Sequence, residues 1–259
     1  MWPFKKKIGL ALSGGVSHGI AHVGVLKAIE KYKIPIHCVA GTSSGSIVGA
    51  LYASGLELPV IEEIALKMNW HTMLRIHPFQ SGHVTMEGLE TMLRKYLGDK
   101  DFSQLKVPFA VATTCLRSAE LCIIKSGKVS RAVLAATAFP GAFAPIEVDG
   151  HLVADGGIIG YEVPVDVCKV LGANFVIASE VSPVVPLKNI SLDPLHVFDR
   201  ALNIIMHNLA LPQIRKANIM ITPPIGEEDL WSMDEKKARR LIAAGEASAL
   251  HVLRKFRRD

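Results

Sequence analysis

The sequence predicts an α/β protein of three layers, in which helices cover both faces of a mainly parallel central sheet. Two short apolar runs, Lys7–Leu12 and residues 36–40, are typical of buried strands. A turn rich in small residues follows each run, and then a helical pattern, from Gly19 to Tyr32 and from Ser44 to Ser54. Strand, helix, strand, helix at this spacing implies right-handed crossovers between parallel neighbours.

Residues 57–106 follow a mainly helical pattern, with Thr85 as the expected N-cap of a helix from Met86 to Leu97. This part of the chain carries histidines and aromatic residues, namely Trp70, His71, His77 and Phe79. We expect it to form a helical cap over one edge of the sheet.

The second half of the chain continues the alternation of strands and helices. Strands are expected over 107–115, 121–125, 174–180 and 219–221, with a hairpin over 146–154 around Asp149-Gly150. Helices are expected over 131–138, over 164–171, from Asp193-Pro194 onward, and after a capping box at Ser232–Glu235. No repeat, low-complexity tract or linker interrupts this order, so we expect a single domain over residues 1–259.

Composition narrows the class of protein. The 259 residues are 49% apolar and 20% charged, enough for one large core, and no apolar stretch reaches the ~18 uncharged residues of a membrane span. Four cysteines without C-x-x-C spacing favour reduced thiols in a cytoplasmic protein. The net charge of +5, with basic clusters near both ends, would favour peripheral contact with an anionic inner membrane surface. With 6% aromatic residues and no binding motif, no nucleic-acid partner is indicated.

The most informative motif is Gly41-Thr42-Ser43-Ser44-Gly45, directly after the second apolar run. A buried strand that ends in Gly-x-Ser-x-Gly and turns into a helix is the nucleophile-elbow pattern. The two glycines leave room where a Cβ would strike the strand or the helix. The amides at the start of the helix and the positive end of its dipole would face the Ser43 oxygen.

A second motif is the glycine-containing loop from Leu12 to Gly19. It lacks the Gly-Lys-Ser/Thr of a P-loop, and Val16 occupies the middle glycine of the dinucleotide fingerprint. Successive amides at Gly14 and Gly15 would suit an oxyanion hole, which requires only backbone N–H groups. Taken alone, the loop is equally well explained as a structural turn.

A third motif is Ala154-Asp155-Gly156-Gly157, which closes the predicted hairpin. Asp-Gly-Gly is commonly just a turn. Here, however, the carboxyl of Asp155 would lie at a strand end among apolar neighbours, where a buried general base with a perturbed pKa is expected.

Together the three motifs resemble the patatin-like phospholipases, in particular their short bacterial branch. The likeness is carried by S-G-G-x-x-x-G-x-x-H-x-G-V-L, G-T-S-S-G and F-P-G-x-F-x-P-I-x-x-D-G-x-x-x-A-D-G-G, in that order. The resemblance implies a lipid acyl hydrolase without cofactor or metal, in which Ser43 is the nucleophile and Asp155 the base of a Ser–Asp dyad. It implies an oxyanion hole at Gly14, Gly15 and Val16. Its supporting motif positions are His18, Gly19, Gly41, Gly45, Gly156 and Gly157.

The chain departs from the family pattern at the rim of the expected site. The family loop usually has a third glycine and then Arg or Lys, where this chain has Val16 and His18. The segment Ile158–Pro164 lacks the asparagine that commonly precedes the proline, and it is one residue longer. These departures concern activity more than fold.

Two other functions stay open on the sequence. An ordinary hydrolase with a Ser-Asp-His triad would draw its histidine from His196, His207 or His251. A degraded site would leave a lipid-sensing or regulatory binding module. The substrate in either case is expected to be a lipid or acyl ester, and the cap methionines, Met68, Met73, Met86 and Met92, would form either cap core or an acyl-chain pocket.

Overall fold

The computed structural model describes residues 6–69, 73, 75–76, 84–186, 191–225 and 230–256. The expectations for Trp70, His71, His77 and Phe79 lie outside these residues. Ten strands are present in this part of the chain: β1 (Ile8–Leu12), β2 (Ile36–Gly41), β3 (Arg75–Ile76), β4 (Val84–Thr85), β5 (Phe109–Cys115), β6 (Glu120–Ile124), β7 (Ile146–Val148), β8 (His151–Asp155), β9 (Phe175–Ser179) and β10 (Ile219–Ile221).

The central sheet has the order β10-β9-β1-β2-β5-β8-β7, and β6 pairs separately with β5. Strands β10, β9, β1, β2 and β5 run parallel, whereas β6 and β8 lie antiparallel to β5. In the central register Leu12 lies opposite both Gly41 and Ser179. The carboxyl ends of three strands therefore meet at one edge of the sheet, the edge where α/β proteins place their sites.

Eight α-helices lie within the described residues: α1 (Ala21–Lys31), α2 (Ser43–Ala53), α3 (Leu58–Lys67), α4 (Glu87–Leu97), α5 (Val129–Ala136), α6 (Val165–Val170), α7 (Pro194–Ile214) and α8 (Glu235–Phe256). Side chains alternate along β1, so that Leu10 and Leu12 enter a large core with α1, α2 and α8. Ala11 enters a smaller core on the opposite face, against Val165 and Cys168 of α6. The two cores make the three layers that the sequence predicts.

Glycines allow α1 and α8 to cross at close range. A Cβ on Gly24 would overlap the carbonyl oxygen of Ile242, and one on Gly245 would overlap that of Ala21. Only a residue without a side chain permits this backbone approach. The crossing joins the first and last helices of the described chain.

Besides the helices α3 and α4, the described part of residues 57–106 contains a two-stranded ribbon formed by β3 and β4. Three local expectations need correction. Thr85 ends β4 and is not the cap of α4, which begins at Glu87 after Met86. The cap of α8 is Asp234 instead of Ser232, since Asp234 Oδ1 accepts the Lys237 N–H at 2.7 Å. The helix expected at 131–138 forms two residues earlier, at Val129–Ala136.

No helix in the described part of the chain combines the length and apolarity that crossing a bilayer requires.

Candidate active site

Ser43 lies at the turn between β2 and α2, as the elbow motif predicts. Its φ is +49°, a left-handed conformation that costs a non-glycine residue about 1–3 kcal/mol and is typical of functional sites. A Cβ on Gly41 would come within 2.5 Å of the Ser46 Cα, and one on Gly45 would overlap the carbonyl oxygens at the end of β1. The two glycines therefore let the turn fold tightly against the sheet.

Ser43 is also the first residue of α2. The amides of Gly45 and Ser46 donate to the Thr42 carbonyl, and the Ser46 hydroxyl donates to the Ser43 carbonyl at 2.6 Å. The positive end of the helix dipole thus lies at Ser43, where it stabilises negative charge.

Asp155 is the last residue of β8 and is fully buried. Its Oδ1 accepts the Gly157 N–H at 2.9 Å, whereas Oδ2 has no hydrogen-bond partner among the described residues. Burial raises the pKa of Asp155 to about 6, and the hydrogen bond from Gly157 and the neighbouring Ser43 hydroxyl act in the opposite direction. Ser43 and Asp155, 112 positions apart in the sequence, are therefore neighbours in the fold.

The β1–α1 loop, residues 13–20, faces the same point. Gly15 has φ +144° and Val16 has φ +49°, so the loop is held in a conformation that extended chains avoid. The N–H of Gly14 donates to the Glu162 carbonyl at 3.2 Å, so it is already engaged, in contrast to the sequence expectation. The N–H groups of Gly15 and Val16 have no acceptor within the described residues.

Buried contacts fix this loop at both ends. Nε2 of His22 contacts the Ser13 carbonyl at 2.9 Å and its Nδ1 contacts the Ser179 hydroxyl at 3.1 Å. Burial lowers the pKa of His22 to about 4, so the ring is neutral at physiological pH. At the other end Lys237 of α8 donates to the Ser17 hydroxyl at 3.0 Å, and the Ser17 N–H donates to the Leu230 carbonyl.

Two titratable residues near the site, Glu162 and Glu180, are missed by the sequence analysis. Glu162 follows the Asp-Gly-Gly turn, and its carboxyl oxygens lie against Gly14 and Gly157. Burial, followed by repulsion from Asp155 and Glu180, raises the pKa of Glu162 to about 8. Glu180, one residue past β9, contacts His207 Nδ1 of α7 at 3.1 Å. The only available sequence signal was the unusual 158–164 segment.

An apolar cleft opens beside the serine turn. It begins at Val16 and Ser44 and runs between the helices α2 and α3, as far as Leu51 and Ile61. Of the four cap methionines Met68 lines this cleft; Met68, Met86 and Met92 pack against the main core, and Met73 is buried within it. The side chains at positions 44, 47, 48 and 51 share one face of α2, so the cleft follows that helix.

The histidines considered for a triad have other contacts. His207 contacts Glu180, His196 contacts Asp193 at 3.1 Å on an exposed helix start, and the His251 side chain is exposed on α8. The Asp155 carboxyl is influenced by Gly157 and Ser43 and by none of these three residues. Among the described residues no group of three or more His, Cys, Asp or Glu side chains is arranged to hold a metal.

These features define a class: a three-layer α/β protein with a serine at a strand-to-helix turn, a buried carboxyl beside it and an apolar cleft leading away. The chain belongs to the patatin-like phospholipase family, whose sequence profile matches residues 10–169.

Relatives and solved structures agree with this membership. An uncharacterized NTE family protein of Mycobacterium tuberculosis is 33% identical over 171 residues, which cover 65% of this chain and 46% of that protein. Lysophospholipase NTE1 of Debaryomyces hansenii is 31% identical over 185 residues, 69% of this chain and 12% of its own length. The chain thus spans less than half of either relative. VipD from Legionella pneumophila has the same fold, with a TM-score of 0.64 at 15% identity, covering 98% of this chain and 67% of VipD.

Proposed function

We propose that this protein is a serine lipid acyl hydrolase, in which Ser43 and Asp155 form the catalytic dyad. The observation that carries the proposal is the position of Ser43 on a strained helix start, next to a buried carboxyl of which one oxygen has no hydrogen-bond partner in the described part of the chain. Family membership supports a lipid ester as substrate.

In the proposed reaction Asp155 Oδ2 accepts the Ser43 proton while the serine Oγ attacks the ester carbonyl carbon. Oδ1 stays bound to the Gly157 N–H, which orients the carboxylate toward the serine. A pKa of about 6 leaves Asp155 ionised at neutral pH and still basic enough to take a proton. Asp155 then protonates the leaving alcohol, and it activates the water that hydrolyses the acyl-enzyme.

The developing oxyanion would be stabilised by the N–H groups of Gly15 and Val16, which no described residue accepts, together with the positive end of α2. Gly14 belongs to the same β1–α1 loop, here called the oxyanion loop, but does not donate to the oxyanion, because its N–H is bound to the Glu162 carbonyl. His18 is buried inside the loop. It stands where the family usually carries Arg or Lys, so an imidazole takes the place of that cation.

The acyl chain of the substrate would lie in the cleft between α2 and α3, whose entrance adjoins the serine turn. The outer face of α7 carries exposed apolar side chains, among them Phe198 and Ile205, which are 61% and 55% exposed. Met206 on the same helix lies against Gly157 of the site. We therefore assign α7 as the face that rests on a lipid surface, from which the substrate enters.

The test uses nitrophenyl ester hydrolysis with the full chain. Ser43→Ala and Asp155→Asn should each lower kcat by at least ~10³-fold while circular dichroism shows an unchanged fold. Ser54→Ala, just past the opposite end of α2, is the matched control and should retain activity, because its buried hydroxyl donates to the Leu51 carbonyl at 2.7 Å, away from Ser43. Wild-type turnover by Ser43→Ala would refute the proposal.

A lipid-sensing module without turnover is the second candidate, favoured by the engaged Gly14 amide and by the Val16 and His18 replacements. A fluorophosphonate probe separates the two functions, since it labels an activated serine and spares an inactive one. Labelling of wild type but not of Ser43→Ala supports the hydrolase. A protein that binds lipid but is not labelled supports the sensor.

A further inference from the structure

A second carboxyl group, that of Glu162, lies beside both members of the proposed dyad. The Cβ position of Gly14 is 2.5 Å from Glu162 Oε1 and 3.0 Å from the Ser43 Cβ. The Cβ position of Gly157 adjoins Glu162 Oε2 and is 3.3 Å from Asp155 Oδ1. The Glu162 carboxyl thus fills the space between the oxyanion loop and the Asp-Gly-Gly turn.

The backbone holds Glu162 at this point. Its carbonyl accepts the Gly14 N–H, and the preceding Tyr161 carbonyl accepts the Thr42 hydroxyl at 2.6 Å. Gly160, with φ +88°, turns the chain back toward the site. Residues 161 and 162 are therefore bonded both to the serine turn and to the loop beside it.

The charged groups that act on Glu162 are both negative. Asp155 faces it from β8, and Glu180 faces it from the end of β9. His207 on α7 is directed to Glu180, α2 contributes the neutral Ser43, and the β1–α1 loop contributes the Gly14 backbone at this contact. Within the described residues no cation forms an ion pair with Glu162.

We propose that Glu162 is a positioning residue that supports turnover only as a neutral carboxylic acid. This inference rests on the proposed hydrolase function. A carboxylate at this position would face both the Asp155 carboxylate and the oxyanion that forms on the substrate, and it would oppose the charge that the Gly15 and Val16 amides stabilise. The neutral acid keeps the two loops in contact without that repulsion.

The two carboxyls then define a window of pH. Below about pH 6 Asp155 becomes protonated and no longer accepts the serine proton, so kcat falls on the acid side. Above about pH 8 Glu162 loses its proton, because burial and its two acidic neighbours no longer keep it neutral, and kcat falls on the alkaline side. The profile is bell-shaped, and its limits belong to the coupled pair.

The experiment measures kcat from about pH 5 to about pH 9.5 for wild type, Glu162→Gln and Glu147→Gln, using a water-soluble ester and subtracting the Ser43→Ala background. Wild type should lose about tenfold per pH unit on the alkaline side. Glutamine at 162 stays neutral, so its alkaline limb should disappear while the acid limb remains. Exposed Glu147 is the matched control and should keep the wild-type profile.

Glu180→Gln provides a second arm. Removing one neighbouring negative charge eases ionisation of Glu162, so the alkaline limb should move to lower pH. An infrared spectrum edited with ¹³C-glutamate should show a carboxylic acid C=O band at neutral pH that Glu162→Gln lacks.

Each outcome decides the inference. An alkaline limb that persists in Glu162→Gln, an equal loss of kcat at every pH, or absence of the acid band would overturn the role of Glu162 and leave the dyad standing. Hydrolysis that is missing from wild type at every pH would overturn the proposed function itself, and this inference with it.

Discussion

Replacing Ala65 by a larger residue should shorten the apolar cleft, and the protein should then prefer esters with shorter acyl chains. Ala65 lies on α3 between Ile61 at the far end of the cleft and Met68 near the serine. A leucine there adds three carbons to the wall midway along the cleft. We therefore predict that Ala65→Leu lowers kcat/KM for long acyl esters and leaves short ones almost unchanged.

The magnitude follows from the length of the cleft. From Ser44 to Leu51 the lining face of α2 covers seven residues, about 10 Å at ~1.5 Å per residue. An extended acyl chain advances about 1.3 Å per carbon, from a C–C bond of ~1.5 Å and an angle of ~111°, so about eight carbons fit. Each buried methylene contributes about 0.8 kcal/mol, or about fourfold in kcat/KM.

The assay is a series of nitrophenyl esters from acetate to dodecanoate. Wild-type kcat/KM should rise about fourfold per methylene up to about eight carbons and then level off. Losing about three methylenes of burial should cost Ala65→Leu about 2.4 kcal/mol, or roughly 60-fold, on octanoate. Ala249→Leu enlarges an equally buried alanine of α8 outside the cleft and should keep the wild-type series. An equal loss on acetate and octanoate would refute the acyl assignment.

Three further predictions concern stability and lipid contact. Asp155→Asn should be inactive yet more stable at pH 8 by up to about 3 kcal/mol, because the buried Asp155 carboxyl, whose pKa is raised to about 6, is ionised there and destabilises the folded wild type. The gain should vanish near pH 4, where folded Asp155 is protonated, as measured by urea unfolding at both pH values. Gly45→Ala should lower the free energy of unfolding by more than about 2 kcal/mol, since its Cβ overlaps the carbonyl oxygens of β1; an unchanged urea midpoint would contradict this. Phe198→Glu with Ile205→Glu should abolish sedimentation with anionic vesicles and retain hydrolysis of soluble esters, and vesicle binding that survives would exclude α7 as the lipid face.

The sheet and the serine turn could be predicted because their signals are local. Buried parallel strands appear as apolar runs, and the Gly-x-Ser-x-Gly spacing requires the turn that forms at Ser43. The position of Asp155 at a strand end was likewise predicted from its apolar neighbours. The pairing of its carboxyl with Ser43 came from the family resemblance, since spacing along the chain does not define it.

Other features depend on contacts between distant segments, and the sequence does not display them. Glu162 reads as an ordinary loop acid, and its desolvation arises only where β1, β8 and β9 end together. The Gly14 amide was expected to be free, but the same Glu162 segment takes it. The cap expected at Thr85 does not form because Thr85 pairs with Arg75 in the β3–β4 ribbon, and α4 begins after Met86 without a side-chain cap. At α8 two oxygen side chains lie near the helix start, and Asp234 takes the cap that was expected for Ser232.

The bond between Lys237 and the Ser17 hydroxyl has a consequence for the order of folding, because these residues stand 220 positions apart. The elbow needs only β1, β2 and α2, all within the first 53 residues, whereas the adjoining loop is anchored by residues 230–237. A ribosome-bound chain that lacks this segment displays the serine before its neighbouring amides are fixed. The amides beside the serine are therefore fixed only after residues 230–237 have been synthesised and have folded onto the loop.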